Sequence, residues 1–340
     1  MKPDIADLVG VYSYKGRKFV VTGGAGFIGS HLIDVLVHLD ANVVVVDNVS
    51  RGSWRNLQRY GRRVSRFYTS LGSSCDKSRL VAEFRGATVI HLAARVANIE
   101  YNRLHHYDML AANLSINSCV FEAVHESRPE KFVFVSTSCV YPHDVLVPTP
   151  ESSADRVIDP EETNYGYGLA KHVGEKCTQL IESELGIQSV VVRFFNAFGL
   201  RDYYDWATSH VAPALIRGFM EGQDPVVVWG SGKQTRVLVD ARDLAVGLLI
   251  ATEKCSDSSP VNIGHDREIS VGDLAQCIKR LTRSDSRITF DETKPEGYTR
   301  RCADVKRFCS LSGGWVPDIP LETTLGQMID ERRTVGFPSD

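Results

Sequence analysis

Two short patterns in this chain carry side chains able to move protons. In Tyr165-Gly166-Tyr167-Gly168-Leu169-Ala170-Lys171, Tyr167 and Lys171 have the spacing that puts both on one face of a helix, a turn apart. An ammonium there lowers a phenol's pKa by stabilising phenolate. The pair then serves as an acid/base for a hydroxyl that loses or gains its proton as hydride moves. Upstream, Lys131-Phe132-Val133-Phe134-Val135 reads as a strand and runs into Ser136-Thr137-Ser138-Cys139-Val140-Tyr141-Pro142. Hydroxyls at such a strand end face the crevice where ligands of open α/β sheets bind. A bare Tyr-x-x-x-Lys is common and becomes informative only behind a fold that brings a hydride carrier.

The start of the chain supplies that fold. Lys18-Phe19-Val20-Val21-Thr22 reads as a strand, Gly23, Gly26 and Gly29 as a turn, and Phe27 to Leu39 as an amphipathic helix. A second apolar strand, Asn42-Val43-Val44-Val45-Val46, ends in Asp47 at the spacing of a dinucleotide-binding βαβ unit. Glycine lets backbone N–H groups approach a pyrophosphate, and the helix N-terminus adds partial positive charge beside it. Gly23, Gly26, Phe27, Ile28 and Gly29 are therefore expected at the cofactor. Asp47, followed by Asn48, would accept both hydroxyls of an adenosine ribose and repel a 2′-phosphate, favouring NAD over NADP. Arg51 tempers that preference, because a nearby guanidinium could hold a 2′-phosphate. Asp47 as a turn residue is the plain alternative.

The helices and strands that must position these groups alternate. Further strands are expected at 66–68, 88–92, 131–135 and 189–194, with helical patterns between them, notably Asp108 to Glu126. Such alternation gives an α/β fold with a Rossmann-type, doubly wound parallel sheet. In His91-Leu92-Ala93-Ala94, small residues at a strand end permit close cofactor approach at Ala93, and His91 is expected to be a packed core histidine. The 340 residues, 43% hydrophobic and 24% charged with a formal charge of -3, describe a soluble globular protein with no nucleic-acid or membrane surface. No apolar run is long enough to span a bilayer, and Met1 to Gly16 lacks a signal-peptide pattern, so a cytoplasmic protein is expected. The eight cysteines show neither CxxC pairs nor metal spacing, and no metal is expected.

Taken together, the glycine turn, His91-x-Ala93-Ala94, the Thr137 strand end and Tyr167-x-x-x-Lys171 resemble the extended short-chain dehydrogenase/reductase superfamily, in its nucleotide-sugar epimerase, dehydratase and reductase branch. The resemblance runs from about Arg17 to Glu331. It implies a 1–16 extension, an NAD-binding domain over 17–196 whose sheet later segments near 235–265 could complete, and a smaller α/β nucleotide-sugar domain over 197–335. It assigns the catalytic hydroxyl to Thr137, the acid/base to Tyr167 and its partner to Lys171. Thr137-Ser138-Cys139-Val140-Tyr141-Pro142 is similar to a signature of GDP-fucose synthases and GDP-mannose 3,5-epimerases in which the cysteine is an acid/base at the sugar ring. Ser209-His210-Val211-Ala212-Pro213 resembles the segment that gives GDP-fucose synthases a catalytic histidine. As plain alternatives, Cys139 is a small buried hydrophobe and His210 a capping or core residue.

The same resemblance places Asn196 and Arg236 near a substrate diphosphate, Arg301 as a second phosphate clamp and Trp229 against a nucleobase; otherwise Trp229 is a core aromatic. The polar, aromatic-rich stretch 201–209 is expected to border the sugar pocket. The implied function is an NAD-dependent epimerase of a nucleotide hexose, GDP-linked and acting at C3 and/or C5 through a 4-keto sugar. Alternatives are a GDP-4-keto-6-deoxyhexose epimerase-reductase, a UDP-sugar 4-epimerase in which Cys139 and His210 are bystanders, and a non-catalytic NAD-binding sensor. Homodimerisation through the long helices at 108–126 and 167–184 is also implied.

Overall fold

The valine-rich runs of the first half have no polar side because both faces of their sheet are covered. A computed structural model describes residues 14–337, so nearly all of the 1–16 extension lies outside the described residues. The chain forms β1 (Lys18–Thr22), α1 (Phe27–His38), β2 (Asn42–Asp47), β3 (Val64–Tyr68), α2 (Lys77–Phe84) and β4 (Thr88–His91). Then come α3 (Ile99–Leu104), α4 (His106–Ser127), β5 (Lys131–Thr137), α5 (Tyr165–Leu185) and β6 (Ser189–Phe194). Much later, α7 (Ala241–Lys254) and β11 (Val261–Ile263) rejoin this unit. The main sheet has the order β11-β6-β5-β4-β1-β2-β3, with every neighbour parallel. This is the expected doubly wound α/β sheet. Its direction of winding reverses between β1 and β4, which places the ligand crevice at their C-terminal ends.

Side chains alternate strictly between the two faces, as the pleat demands. Val21, Val45, Ile90, Val133 and Val192 share one core with Leu32 and Leu36 of α1 and Leu244 and Leu248 of α7. Val20, Val44, Val89, Phe134 and Val191 face Phe84 of α2, Val120 of α4 and Ile181 of α5. The second half thus closes the first: Arg17, just before β1, pairs with Glu253 near the end of α7 at 2.9 Å.

Between these returns the chain builds a smaller α/β unit from β7 (Ala197–Phe198), α6 (Val211–Met220), β8 (Val226–Trp229), β9 (Thr235–Val237), β10 (Val239–Asp240), β12 (Glu268–Ser270), α8 (Val271–Thr282), β13 (Ile288–Asp291) and β14 (Arg300–Arg301). β9 lies between β12 and β14, and β8 pairs with β13. Ile216 and Phe219 of α6, Ile278 of α8 and Met328 of α10 (Leu321–Val335) fill its core. The short α9 (Lys306–Leu311) buries Phe308 against the first unit.

One buried charge pair locks α5 to the sheet. Glu175, 1% exposed, accepts from Arg193 Nε at 2.8 Å and Nη2 at 2.6 Å, and from Ser136 Oγ at 2.5 Å. Arg193 also donates to Tyr141 Oη at 2.9 Å, and that hydroxyl donates to Asn262 Oδ1 at 2.6 Å. One network therefore spans β5, β6, β11 and α5. Removing one member strands a charge without water, a loss of about 3–5 kcal/mol, whereas replacing both by apolar groups costs much less. Urea denaturation should accordingly show Glu175→Ala destabilised by about that amount and Glu175→Leu/Arg193→Leu less so; equal losses in single and double variants would contradict the assignment.

Candidate active site

The glycine turn is shaped by contacts that leave no room for side chains. A Cβ on Gly29 would lie 2.2 Å from the Gly23 carbonyl oxygen. One on Gly23, which sits at φ +74°, would lie 2.8 Å from the Ala93 amide nitrogen. Ala93 is therefore held against the turn, and its N–H donates to Thr22 Oγ1 at 3.3 Å. A Cβ on Gly26 would meet only the Gly23 oxygen, at 3.1 Å, so its other side is open. Helix α1, starting at Phe27 and Ile28, has neither a side-chain cap nor an acidic residue in its first turn. Its first N–H groups are thus left for an anion, and this cradle fits a dinucleotide pyrophosphate.

At the end of β2, Asp47 accepts from the Ala25 N–H at 3.0 Å and the Val49 N–H at 2.8 Å. Burial pushes its pKa up, against the pull of those N–H groups. Asp47 therefore braces the glycine turn from below as well as standing where a ribose would lie. Asn48 Nδ2 donates to Ser70 Oγ at 3.2 Å and fastens the loop after β2 to that after β3. Arg51 reaches across the crevice: it donates to the Val96 carbonyl and lies 4.5 Å from the Tyr203 ring centroid. The 201–209 stretch thus meets the cofactor loop through Tyr203, and Ala207 O accepts from Asn98 Nδ2 at 2.7 Å.

The proton-moving groups converge at the end of β5. Thr137 is the last residue of that strand, and its Oγ1 accepts from the Cys139 N–H at 3.2 Å, starting a one-turn 3-10 helix over Ser138–Val140. Tyr167 is in the first turn of α5 and hydrogen-bonds with Thr137. Two glycines make this approach possible. A Cβ on Gly168 would lie 2.3 Å from Cys139 O, and one on Gly166 would lie 2.1 Å from His106 O. Burial drives the Tyr167 phenol above its ordinary value and the Cys139 sulfur adds to the rise, while the Thr137 hydrogen bond opposes both. Lys171, 3% exposed, donates to the Val135 carbonyl at 2.8 Å, and burial, partly offset by Glu175, brings its pKa down to about 8. The expected lowering of the phenol by Lys171 is not seen here: the ammonium is turned to the Val135 carbonyl, burial raises the phenol, and Tyr167 stands protonated at rest.

His91 behaves as the packed histidine expected. It is fully buried, contacting Thr22 Oγ1 at 2.7 Å and Asn117 Oδ1 at 3.1 Å, while Asn117 Nδ2 donates to Ala170 O at 3.3 Å. Burial, then the Lys171 charge, lowers its pKa to about 3, so it stays neutral and stitches β1 and β4 to α5.

A second wall comes from the smaller unit. Arg301 in β14 donates to Ser138 Oγ at 3.3 Å and Cys139 Sγ at 3.6 Å. Arg236 in β9 donates to the carbonyls of Thr235 at 2.7 Å, Tyr298 at 2.5 Å and Glu296 at 3.0 Å, and burial, then Arg301, lowers its pKa to about 10. Its fork holds the 296–298 loop rather than standing free. Trp229 ends β8 outside the apolar core, half-buried, with Lys294 Nζ 5.3 Å from its ring centroid. Asn196 Nδ2 donates to Val237 O at 3.1 Å, at the mouth between the two units.

His210 lies elsewhere, as the residue before α6. Its Nδ1 is 3.8 Å from Asp202 Oδ1, and both Nδ1 and Asp202 Oδ2 are buried without a partner. No hydrogen bond or ion pair among the described residues joins it to Thr137, Cys139 or Tyr167. Asp202 is the carboxylate nearest the imidazole, beyond hydrogen-bond distance, a proximity invisible in sequence because nothing marks an aspartate eight positions before a histidine. Tyr298 and Glu162, which flank Arg301, were missed for the same reason.

A crevice built on a phosphate cradle, with a threonine, a tyrosine and a lysine at its centre, defines a class of nicotinamide-dependent enzymes. The chain belongs to the NAD dependent epimerase/dehydratase family, whose profile matches residues 19–264. It is 29% identical over 334 residues to GDP-L-fucose synthase 1 of Arabidopsis thaliana, covering 97% of each chain. It is 30% identical to the GDP-L-fucose synthase of Sinorhizobium fredii, covering 93% of this chain and 96% of that one. Among solved structures it resembles UDP-glucose 4-epimerase of Thermotoga maritima with UDP-glucose, at TM-score 0.82 and 27% identity over 94% of this chain and 99% of that one.

Lys171 gives this site a pH signature. Its folded value of about 8 lies below the ordinary 10.5, so between these the unfolded chain binds a proton the folded chain has released. Stability therefore rises with pH across that interval and carries the full burial penalty below it. Lys171→Met should flatten the rise, seen as urea midpoints at pH 7.5 and 9.5 that differ less than in the wild type, and should abolish turnover.

Proposed function

We propose that this chain is an NAD-retaining epimerase of a nucleotide hexose, GDP-linked, that inverts C3 and/or C5 through a transient 4-keto sugar. The observation that carries the reading is the position of Cys139, whose backbone N–H donates to Thr137 Oγ1 and whose sulfur is near enough to act on the Tyr167 phenol. A thiol there would lie next to the carbons flanking an oxidised C4. Relatives named as GDP-L-fucose synthases that align over nearly the whole chain support the GDP sugar. Asp47 at the end of β2 supports NAD rather than NADP.

A bound nicotinamide supplies the acceptor for the C4 hydrogen. The residues do the rest. Thr137 and Tyr167 hold the C4 hydroxyl; Tyr167, once its phenol has released its own proton to solvent, takes the hydroxyl proton as the hydride leaves C4, while the Lys171 ammonium steadies the phenolate. With C4 a carbonyl, the C–H bonds at C3 and C5 become acidic. Cys139 takes the proton from one face as the C–H electron pair moves into the enolate; His210 returns a proton to the other face as that pair reforms a C–H bond. Tyr167 then restores the proton to the C4 oxygen. Asn196, the Arg236 N–H groups not used on the 296–298 loop and the unpartnered Arg301 Nη2 would meet the diphosphate, and Trp229 the nucleobase.

One specific observation favours a second reading: the relatives' name implies net reduction, so the chain would consume NADPH while making a GDP-6-deoxyhexose. We also place the enzyme in the cytoplasm as a homodimer through α4 and α5, whose surfaces expose Tyr107 and Leu180.

Product NMR in D₂O with GDP- and UDP-hexoses should show deuterium entering C3 or C5. Cys139→Ser and His210→Asn should each slow that exchange by about 10²–10⁴-fold while leaving cofactor binding intact. Absence of deuterium with every sugar would sink the epimerase chemistry, and stoichiometric oxidation of added NADPH would establish the second reading instead.

A further inference from the structure

The ring-side wall contains a column of stacked groups that ends on the Cys139 sulfur. Arg301 is 6% exposed, and its Nη2 is buried with no partner. Its neighbours are the Ser138 hydroxyl, the Cys139 thiol and the Tyr298 ring, whose centroid lies 3.3 Å from the guanidinium carbon. None of these neutralises a positive charge. His143 stacks on Tyr298 at 3.8 Å between centroids and 15° between planes. Two groups this close cannot share one ring face, so the tyrosine is sandwiched. Glu162, 8% exposed, ties the middle of the sandwich to one outer layer: Oε2 accepts from the Tyr298 hydroxyl at 2.7 Å and Oε1 from the His143 backbone N–H at 2.9 Å. Tyr298 therefore has almost no freedom to move, and neither has the guanidinium lying on it.

The second cation of this wall, Arg236, acts on Cys139 as well, but three of its five N–H groups go to backbone carbonyls and none goes to the sulfur. Arg301 alone has a donor directed at sulfur and another left over. A fixed guanidinium in a site poor in water favours whatever negative charge the neighbouring atom develops. The charged and titratable groups facing Cys139 are Arg301, Arg236, Tyr167 and Tyr298, with His143 and Glu162 behind them.

We propose that Arg301 is the electrostatic partner that activates Cys139, offsetting the charge its sulfur carries when it accepts a proton or attacks an electrophile, and that Tyr298, clamped by Glu162 and His143, is the residue that positions Arg301. Only the catalytic use of this activation rests on the epimerase reading; the activation itself is a property of the resting protein.

The test is alkylation of Cys139 in the intact protein at pH 7.5, read by mass spectrometry of its peptide, with neutral iodoacetamide and anionic iodoacetate compared. In the wild type, sulfur beside an uncompensated guanidinium should react fast and favour the anion. Arg301→Leu should slow alkylation about tenfold and abolish the preference for iodoacetate. Arg301→Lys should keep most of that preference, Tyr298→Leu should behave like Arg301→Leu, and Tyr298→Phe should stay near wild type. Circular dichroism identifies any variant that has not folded; if Arg301→Leu fails, Arg301→Lys and Tyr298→Leu decide. A wild-type iodoacetate-to-iodoacetamide ratio retained in folded Tyr298→Leu and Arg301→Leu overturns the proposal. Deuterium exchange in the wild type alongside that result leaves the epimerase reading standing. Arg301-dependent alkylation without any exchange has the opposite meaning: the pair is real and the epimerase reading is wrong.

Discussion

A carboxylate cut off from water, Glu175, fixes where everything else in the catalytic half can be. It is tied to β5 through Ser136 and to β6 through Arg193, one turn along α5 from Lys171. An isolated charge at that depth is prohibitive, so the helix can dock only in the register that delivers the carboxylate to the guanidinium. That register sets Tyr167 against Thr137 and leaves the Lys171 ammonium on the Val135 carbonyl. The mutual placement of Thr137, Tyr167 and Lys171 is thus specified by a contact made by none of the three.

The facing wall works by the opposite principle. Where Glu175 and Arg193 cancel, Arg236 lies close enough to Arg301 for its own hold on a proton to be lowered, and the two are met mostly by carbonyl oxygens, a hydroxyl and an aromatic face. Positive charge without a counterion is tolerable there because partial negative charges surround it. Such a wall suits anionic ligands and disfavours cationic ones, and it stands beside the sulfur and the phenol instead of at the cradle of α1.

Much of this was legible in the sequence, for identifiable reasons. A parallel sheet buried on both faces needs uninterrupted apolar strands, so β2, β5 and β6 were apparent from their valines and phenylalanines. The glycine turn declared itself because only glycine survives Cβ distances near 2 Å, as at Gly29. Tyr167 and Lys171 were visible because helical spacing is a local property. What was not visible depends on contacts between distant segments. Tyr298 meets Glu162 across 136 positions, and Glu175 meets Arg193 across two elements. Nor does spacing reveal that burial governs the Tyr167 phenol, since that depends on how much protein covers the ring. The flanking Gly166 and Gly168 did carry that information: small residues on both sides of a tyrosine announce a helix start pressed against backbone.

The return of α7 to the face of β1 and β2 has a consequence for synthesis. As the chain leaves the ribosome, the valines of β1 and β2 are born more than two hundred positions before Glu253, which closes over them with Arg17. Until then α1 and the segment around Leu57 cover that face without it, and the nascent half presents an incomplete apolar surface. The sheet's last strand, β11, arrives later still. Folding of the cofactor half therefore cannot finish first and hand over to the rest; it concludes only when three quarters of the chain exist.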